Sequence, residues 1–181
     1  MISIVIQRAV MQGIPLLFGS TGEILTEKSG NLNLGIPGIM YVGAISGVAG
    51  AFLYEQSCGG AINPLVAVLI PLFACIAGSL LMGLIYCFLT VSLRANQNVT
   101  GLALTTFGIG IGNFFGGSLI TITKSPVPSI SLSATSKMFK TALPFADKLG
   151  WFGDIFLSYS FLAYLAIIIA FVASYMLNRT R

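Results

Sequence analysis

The chain has 181 residues, of which 56% are hydrophobic and only 8% are charged, and its mean hydropathy is +0.95. Soluble domains carry about 25% charged residues, so this composition excludes a soluble protein and predicts a membrane protein. The net charge of +4 resides in loops, and the chain has no histidine. We therefore expect no nucleic-acid binding, no cofactor or metal site, and no enzymatic activity.

Long runs without a charged side chain predict membrane-spanning helices. The runs Glu55 to Arg94 and Arg94 to Lys124, for example, each exceed the roughly 20 residues that cross a hydrocarbon core. Continuous apolar runs lack the alternation of barrel strands. The fold class predicted is therefore all-α, a polytopic transmembrane helix bundle forming a single transmembrane domain over 1–181. We predict about five spans, at 3–24, 36–54, 63–92, 98–122 and 156–177.

The connection 123–155 is the longest polar stretch, and we predict that it is extracytoplasmic. Lysine and arginine are divided evenly between its side and the opposite side, so charge alone does not decide the orientation. A solvated linker and a docking surface for an external partner both fit its mixture of prolines, basic residues and aromatic residues.

Small residues recur at helical spacing within the predicted spans. Gly108, Gly112 and Gly116 lie four residues apart and therefore on one face of a helix, and Gly43 and Gly47 repeat the pattern in the second span. In lipid, helices associate through close packing that such residues permit. These glycines are predicted to be helix-packing residues.

A polar break interrupts the apolar sequence at "EKSGNLNLGIPGIM", residues 27–40. Gly35, Pro37 and Gly38 weaken a helix, and Asn31 and Asn33 offer donors and acceptors. One interpretation is a broken helix near residues 29–38 that presents polar groups to a substrate. The other is a plain turn with Asn33 as a helix cap and Pro37 in the first helical turn.

A second polar cluster, "RANQNVTGLALTT", opens the fourth span at residues 94–106. It contributes Gln97, Thr100 and Thr105 as candidate polar side chains. Threonine in a membrane helix usually bonds its own backbone, so a structural role and a functional role both remain open for these hydroxyls.

Both polar segments resemble known sequences. "GIPLLFGSTGEILTEKSGNLNLGIPGIMYVGAISG" and "ANQNVTGLALT" are similar to two motifs of the inner-membrane permeases of simple-sugar, nucleoside and branched-chain amino-acid ABC importers, the nucleoside type fitting best. Pro37 stands where many such permeases carry a glutamate. The resemblance implies that the break and the start of the fourth span face the translocation path. The candidate path residues are Asn31, Asn33, Gly35, Pro37, Gly38, Gln97, Thr100 and Thr105.

The resemblance also implies a function and a set of partners. We expect the permease subunit of an ABC uptake transporter for a small neutral solute, such as a nucleoside or simple sugar, in the bacterial cytoplasmic membrane. Its partners would be a second permease subunit, a cytoplasmic ABC ATPase, an extracellular solute-binding protein and membrane lipid. Family permeases are longer, so the C-terminal half is expected to be missing. The alternatives are a stand-alone substrate-binding module of a vitamin importer and a non-transporting truncated fragment.

Overall fold

The computed structural model describes residues 2–59, 62–122, 130–140 and 158–179. All regular secondary structure in these ranges is helical, which confirms the predicted all-α class. The helices are α1 (Ile2–Lys28), α2 (Ile36–Cys58), α3 (Pro64–Cys87, continued by a π-helical turn Phe88–Ser92), α4 (Gln97–Ile122), α5 (Ser133–Phe139) and α6 (Phe161–Arg179).

Four of the described helical segments are long and apolar enough to cross a membrane: Ile36–Cys58, Pro64–Ser92, Gln97–Thr121 and Phe161–Arg179. They correspond to four of the five predicted spans. The fifth prediction, 3–24, falls within α1, which is helical but is not one of the four. Polar residues near both ends of α1, including Arg8 and Glu23, lower its hydropathy.

Helix boundaries follow local chemistry. Pro64 occupies the first turn of α3, where its missing N–H costs nothing, and the Asn63 side chain accepts a hydrogen bond from the Leu65 N–H at 3.1 Å. At the end of α2, Gly59 adopts a left-handed conformation with φ 52°, which a residue without a Cβ accepts readily.

The chain divides into two compact units, one comprising 1–30 and 139–181 and the other 31–138. In the first unit, α1 and α6 run in the same direction: Gln7 donates from Nε2 to the Ser158 hydroxyl at 3.0 Å just before α6, and Leu17 and Thr21 line one cavity with Ala173 further along. Small residues permit this contact, since Ala163, Ala166 and Ala173 are buried along α6. We call this the α1–α6 unit.

The second unit is built on α2, which packs against both α3 and α4. Its buried hydrophobic cluster comprises Val42, Met82, Tyr86 and Leu104, one or two residues from each helix. The short helix α5 contacts the end of α2 through a hydrogen bond, which the Thr135 N–H donates to the Glu55 carboxylate at 2.7 Å. We call this the α2–α4 unit. Most of the predicted connection 123–155, namely 123–129 and 141–155, lies outside the described residues.

Candidate substrate path

The polar break is a real interruption of helical structure. α1 ends at Lys28, and α2 begins at Ile36. Pro37 lies in the first turn of α2, and the N-cap position is occupied by Gly35, which has no side chain to cap the helix. The N-cap therefore lies two residues after Asn33, and the interpretation of Asn33 as the N-cap residue is wrong. Pro37 does lie in the first helical turn, as that interpretation expected.

Asn33 instead fixes the turn that precedes α2. Its side chain is only 7% exposed, and its Oδ1 accepts a hydrogen bond from the Gly35 N–H at 2.9 Å. An asparagine that bonds the backbone two residues later forms an Asx-turn, which reproduces the shape of a backbone turn. The Asn33 amide is therefore part of the support of the break.

The first turns of α4 hold the break from one side. Gln97 donates from Nε2 to Asn31 Oδ1 at 3.0 Å, and its Oε1 accepts from the Leu32 N–H at 2.9 Å. Two turns further along α4, the Thr105 hydroxyl donates to the Leu34 carbonyl at 2.8 Å. Gln97 and Thr105 thus form hydrogen bonds with three polar groups of the break: the Asn31 side-chain oxygen, the Leu32 N–H and the Leu34 carbonyl. Both of these predicted residues therefore contact the break.

A tyrosine from α3 holds the break from a second direction. The Tyr86 hydroxyl donates to the Leu32 carbonyl at 2.8 Å, and Tyr86 is only 5% exposed. Leu32 therefore has its N–H bonded by α4 and its carbonyl bonded by α3. This residue was absent from the sequence-based candidates, because a tyrosine in an apolar helix gives no indication of which backbone group it will reach.

Glycines allow the backbones of the break and of α2 to meet that of α4. A Cβ added at Gly101 would lie 2.9 Å from the Gly35 nitrogen, and one added at Gly108 would lie 2.5 Å from the Gly38 carbonyl oxygen. No real side chain fits at such distances, because the neighbouring atoms are backbone. The close approach extends to Gly112, where a Cβ would overlap the Tyr41 ring.

The same contacts show the register of the two helices. Gly101, Gly108 and Gly112 meet Gly35, Gly38 and Tyr41 in the same chain order, so α2 and α4 run parallel. With a rise of about 1.5 Å per residue, Gly101 lies about 6 Å and Gly108 about 16 Å along α4. The break therefore lies beside the first half of α4 and not beyond its end.

The remaining predicted residues have separate positions. Thr100 is buried at 8% exposure in the first turn of α4, while Pro37 is exposed. A Cβ at Gly116 would reach Ile45 at an ordinary 3.7 Å. Gly43 and Gly47 face α3 instead: a Cβ on Gly43 would overlap the Ser79 hydroxyl, and one on Gly47 would lie 3.2 Å from the Pro71 carbonyl oxygen.

A polar pair lies further along the seam between α2 and α4. The Tyr41 hydroxyl donates to Asn113 Oδ1 at 3.1 Å, and both side chains are exposed. They border a cavity of about 350 Å³ whose floor includes Gly112 and Gly116. Neither residue is among the sequence-based candidates. The observation that could have found them is an asparagine within an otherwise apolar span, since such residues are rare in membrane helices and are usually functional.

Comparison with known proteins identifies relatives of the chain. Residues 5–181 match the family model described as a branched-chain amino acid transport system / permease component. The guanosine ABC transporter permease protein NupQ of Bacillus subtilis (strain 168) is 29% identical over 180 residues, which cover 99% of this chain and 53% of that protein. The nucleoside ABC transporter permease protein NupC of Lactococcus lactis subsp. cremoris is 26% identical over 181 residues, covering 99% and 53%.

A putative glucose ABC transporter permease protein, TsgC13 of Haloferax volcanii, is 28% identical over 166 residues, covering 91% of this chain and 45% of that protein. No solved structure gives a significant match. The chain spans about half the length of the curated relatives it matches. Its apolar helices and its permease relatives make it a multi-pass protein of the cell membrane. The match over almost its whole length shows that the chain belongs to the branched-chain amino acid transport permease family of ABC transporters.

Proposed function

We propose that the chain acts as the permease subunit of an ABC uptake transporter for a small neutral solute, such as a nucleoside or a simple sugar. The observation that carries this proposal is the polar break held beside α4 by Gln97, Thr105 and Tyr86, in a chain of a permease family. The relatives named as nucleoside and glucose permeases support the solute class. The subunit works by conformational change and carries out no chemical step of its own.

The position of the break supports a role in transport. Because the break lies beside α4 and α4 is long enough to cross a membrane, we place the break within the depth of the bilayer. Irregular backbone at that depth is tolerated only where protein or a water-filled cavity receives its polar groups. Transporters use such interrupted helices at their solute sites. A surface turn would have water for its polar groups and would not need partners from two helices.

Within this proposal, the candidate residues divide into support and lining. Asn33, Gly35 and Gly38 support the break, since each is buried in the contacts that set the backbone. Thr105 acts with them from α4 through its hydrogen bond to the Leu34 carbonyl. The lining would be the half-buried amides of Asn31 and Gln97 together with the exposed ring of Pro37.

We extend the proposed path along the α2–α4 seam to the Tyr41–Asn113 pair. On α4, Thr105, Ile109 and Asn113 recur every four residues and so follow one face from the break to this pair. The groups that this face and its neighbours offer are amides, hydroxyls and an aromatic ring. Neutral donors and acceptors of this kind suit the hydroxyl groups of a sugar or the edge of a nucleobase, and the ring offers a face for stacking.

The proposed partners follow from the family. We propose a second permease subunit, a cytoplasmic ATPase that supplies the energy and an extracellular solute-binding protein that delivers the solute, with lipid around the bundle. The match to a permease family favours this assignment over a substrate-binding module of a vitamin importer.

The experiment that tests the function is uptake in cells that lack the gene, complemented with the wild-type gene or with variants. Loss of uptake of labelled nucleosides or glucose on deletion, restored by complementation, is the expected result. Asn113→Ala should reduce uptake by about threefold to tenfold, the effect of one neutral hydrogen bond, at unchanged protein level. Asn98→Ala, an exposed asparagine at the start of the same helix, is the matched control and should transport normally.

Each part of the proposal has its own contrary result. Normal uptake of every nucleoside and sugar after deletion would overturn the transport function, and loss of vitamin uptake alone would favour the vitamin module. If deletion abolishes uptake but Asn113→Ala equals Asn98→Ala, the chain is a permease whose path does not follow the α2–α4 seam.

A further inference from the structure

The α1–α6 unit contains a basic, polar pocket that the proposed transport function does not use. The pocket has a volume of about 450 Å³ and lies where α6 begins. Arg8 from α1 and Lys140, which follows α5, both line it, together with the hydroxyl-bearing residues Ser158, Tyr159 and Ser160. Among the residues that the structure describes, none that lines the pocket is acidic.

The two cations are available to a ligand. Arg8 and Lys140 are both exposed, and neither forms an ion pair with a carboxylate in the part of the chain that the structure describes. Two positive charges that face one cavity repel each other. An anion bound between them would relieve that repulsion and gain attraction from both.

The hydroxyl groups of the pocket are part of a packed wall. Tyr159 is 7% and Ser160 is 8% exposed, and Ser158 is tied to α1 by the hydrogen bond from Gln7 at 3.0 Å. A tyrosine hydroxyl is protonated at neutral pH, and burial raises the pKa of the Tyr159 hydroxyl further above its ordinary value. The wall therefore combines neutral donors with the two cations, which is the chemistry that binds phosphate oxygens.

The surroundings of the pocket are apolar on the side of the membrane span. Met11 lines the pocket and is 41% exposed. Phe161, Leu165 and Ile168 are exposed by 42%, 39% and 57%, and their spacing places them on one face of α6 that starts beside the pocket. Because α6 is a candidate membrane span, its first residues mark the level at which lipid headgroups meet the hydrocarbon.

We propose that this pocket binds the phosphodiester headgroup of an anionic phospholipid, whose acyl chains lie along the exposed apolar face of α6. Basic pockets between membrane helices bind anionic headgroups in this way. A free phosphate would use the cations and leave the apolar face without a role. Lipid bound here bridges α1 and the segment before α6, so it stabilises the α1–α6 unit.

The test measures lipid retained by the purified full chain, by native mass spectrometry in a mild detergent supplemented with phosphatidylglycerol or phosphatidylcholine. The wild type should retain phosphatidylglycerol in preference, and added salt should weaken the preference. The double variant Arg8→Gln, Lys140→Gln should bind phosphatidylglycerol about thirtyfold more weakly, because each basic residue near a lipid surface contributes about fivefold.

Two further variants make the result specific. Lys28→Gln with Lys137→Gln removes the same charge from exposed positions outside the pocket and should retain the wild-type preference. Arg8→Lys with Lys140→Arg keeps both charges and should also retain it. Circular dichroism of each variant reports folding, so that a loss of binding with intact helicity is attributed to the pocket.

The proposal is overturned if the wild type binds the two lipids equally, or if the Arg8, Lys140 double variant matches its charge control. Asp147 and Asp154 lie outside the described residues, and pairing of either with the pocket cations would produce the second of these results. Displacement of phosphatidylglycerol by millimolar inorganic phosphate would identify a site for free phosphate and refute the lipid.

Discussion

The contact between Gly38 and Gly108 supports a sharp prediction about the α2–α4 unit. Gly108→Ala adds one methyl group at a position 2.5 Å from the Gly38 carbonyl oxygen and 2.7 Å from the Gly38 Cα. Both neighbouring atoms belong to the backbone, so no side-chain rotation can relieve the overlap. The two helices must separate, and the hydrogen bond from Thr105 to the Leu34 carbonyl, one turn earlier on α4, lengthens with them.

The chain offers a matched control on the same helix. Nothing lies within 4 Å of a Cβ added at Gly110. Replacing either glycine by alanine favours the helix by about 1 kcal/mol, and this gain cancels in a comparison of the two variants. What remains is the cost of overpacking, typically about 1–3 kcal/mol. We therefore expect Gly108→Ala to be less stable than Gly110→Ala by about 1–3 kcal/mol.

The measurement is the free energy of unfolding of the full chain in micelles, from denaturant titrations followed by far-UV circular dichroism. The slopes of the transitions must agree between variants for the midpoints to be compared. Equal midpoints for Gly108→Ala and Gly110→Ala would show that α2 and α4 do not approach at backbone distance, and the register derived from their glycines would be wrong.

Three further predictions concern the break and the topology. Asn33→Ala should lower stability by about 1–3 kcal/mol, because it leaves the buried Gly35 N–H without its acceptor, whereas Asn33→Ser keeps a neutral hydroxyl acceptor and should lose less; equal losses in the same titrations would contradict the Asx-turn. Tyr86→Phe should cost about 0.5–1.5 kcal/mol for the bond to Leu32, and an unchanged midpoint would count against that clamp. Cysteine at Ser133, in a background without native cysteines, should react with an impermeant thiol reagent in intact cells, and protection there together with labelling of a cysteine at Ser29 would invert the predicted orientation.

The membrane helices could be predicted because each depends on a local property of the sequence, a long apolar run without charged residues. The absence of charge between Glu55 and Arg94 is sufficient to predict one long apolar helix, and Asn63 followed by proline marks where it begins. The first predicted span shows the limit of this argument. α1 forms a helix, but Arg8 and Glu23 lower its hydropathy. Whether it crosses the membrane then depends on the helices that pack around these polar side chains, and hydropathy does not describe that packing.

The contacts of the break could not be predicted from the sequence. The pattern at residues 27–40 shows that a helix cannot continue there, and this holds in the structure. It does not show that Tyr86, more than fifty residues away, bonds the Leu32 carbonyl, because that contact depends on how α3 packs against α2. The same reason kept Tyr41 and Asn113 from the candidate set, since their pairing depends on the parallel register of α2 and α4.

The contacts in the α2–α4 unit differ in how readily a solute could replace one of the two contacting groups. The glycine contact of Gly38 with Gly108 is between backbones, so no solute can replace it. The bonds from Gln97 to Asn31 and from Tyr41 to Asn113 join neutral side chains, and each contributes about 0.5–1.5 kcal/mol net. A hydroxyl or ring nitrogen of a neutral solute can take over such a bond at little cost, since one neutral hydrogen bond replaces another. Under the proposed function, the glycines therefore hold the break in place while these amide and hydroxyl pairs open to the solute, and removing a pair should affect uptake more than stability.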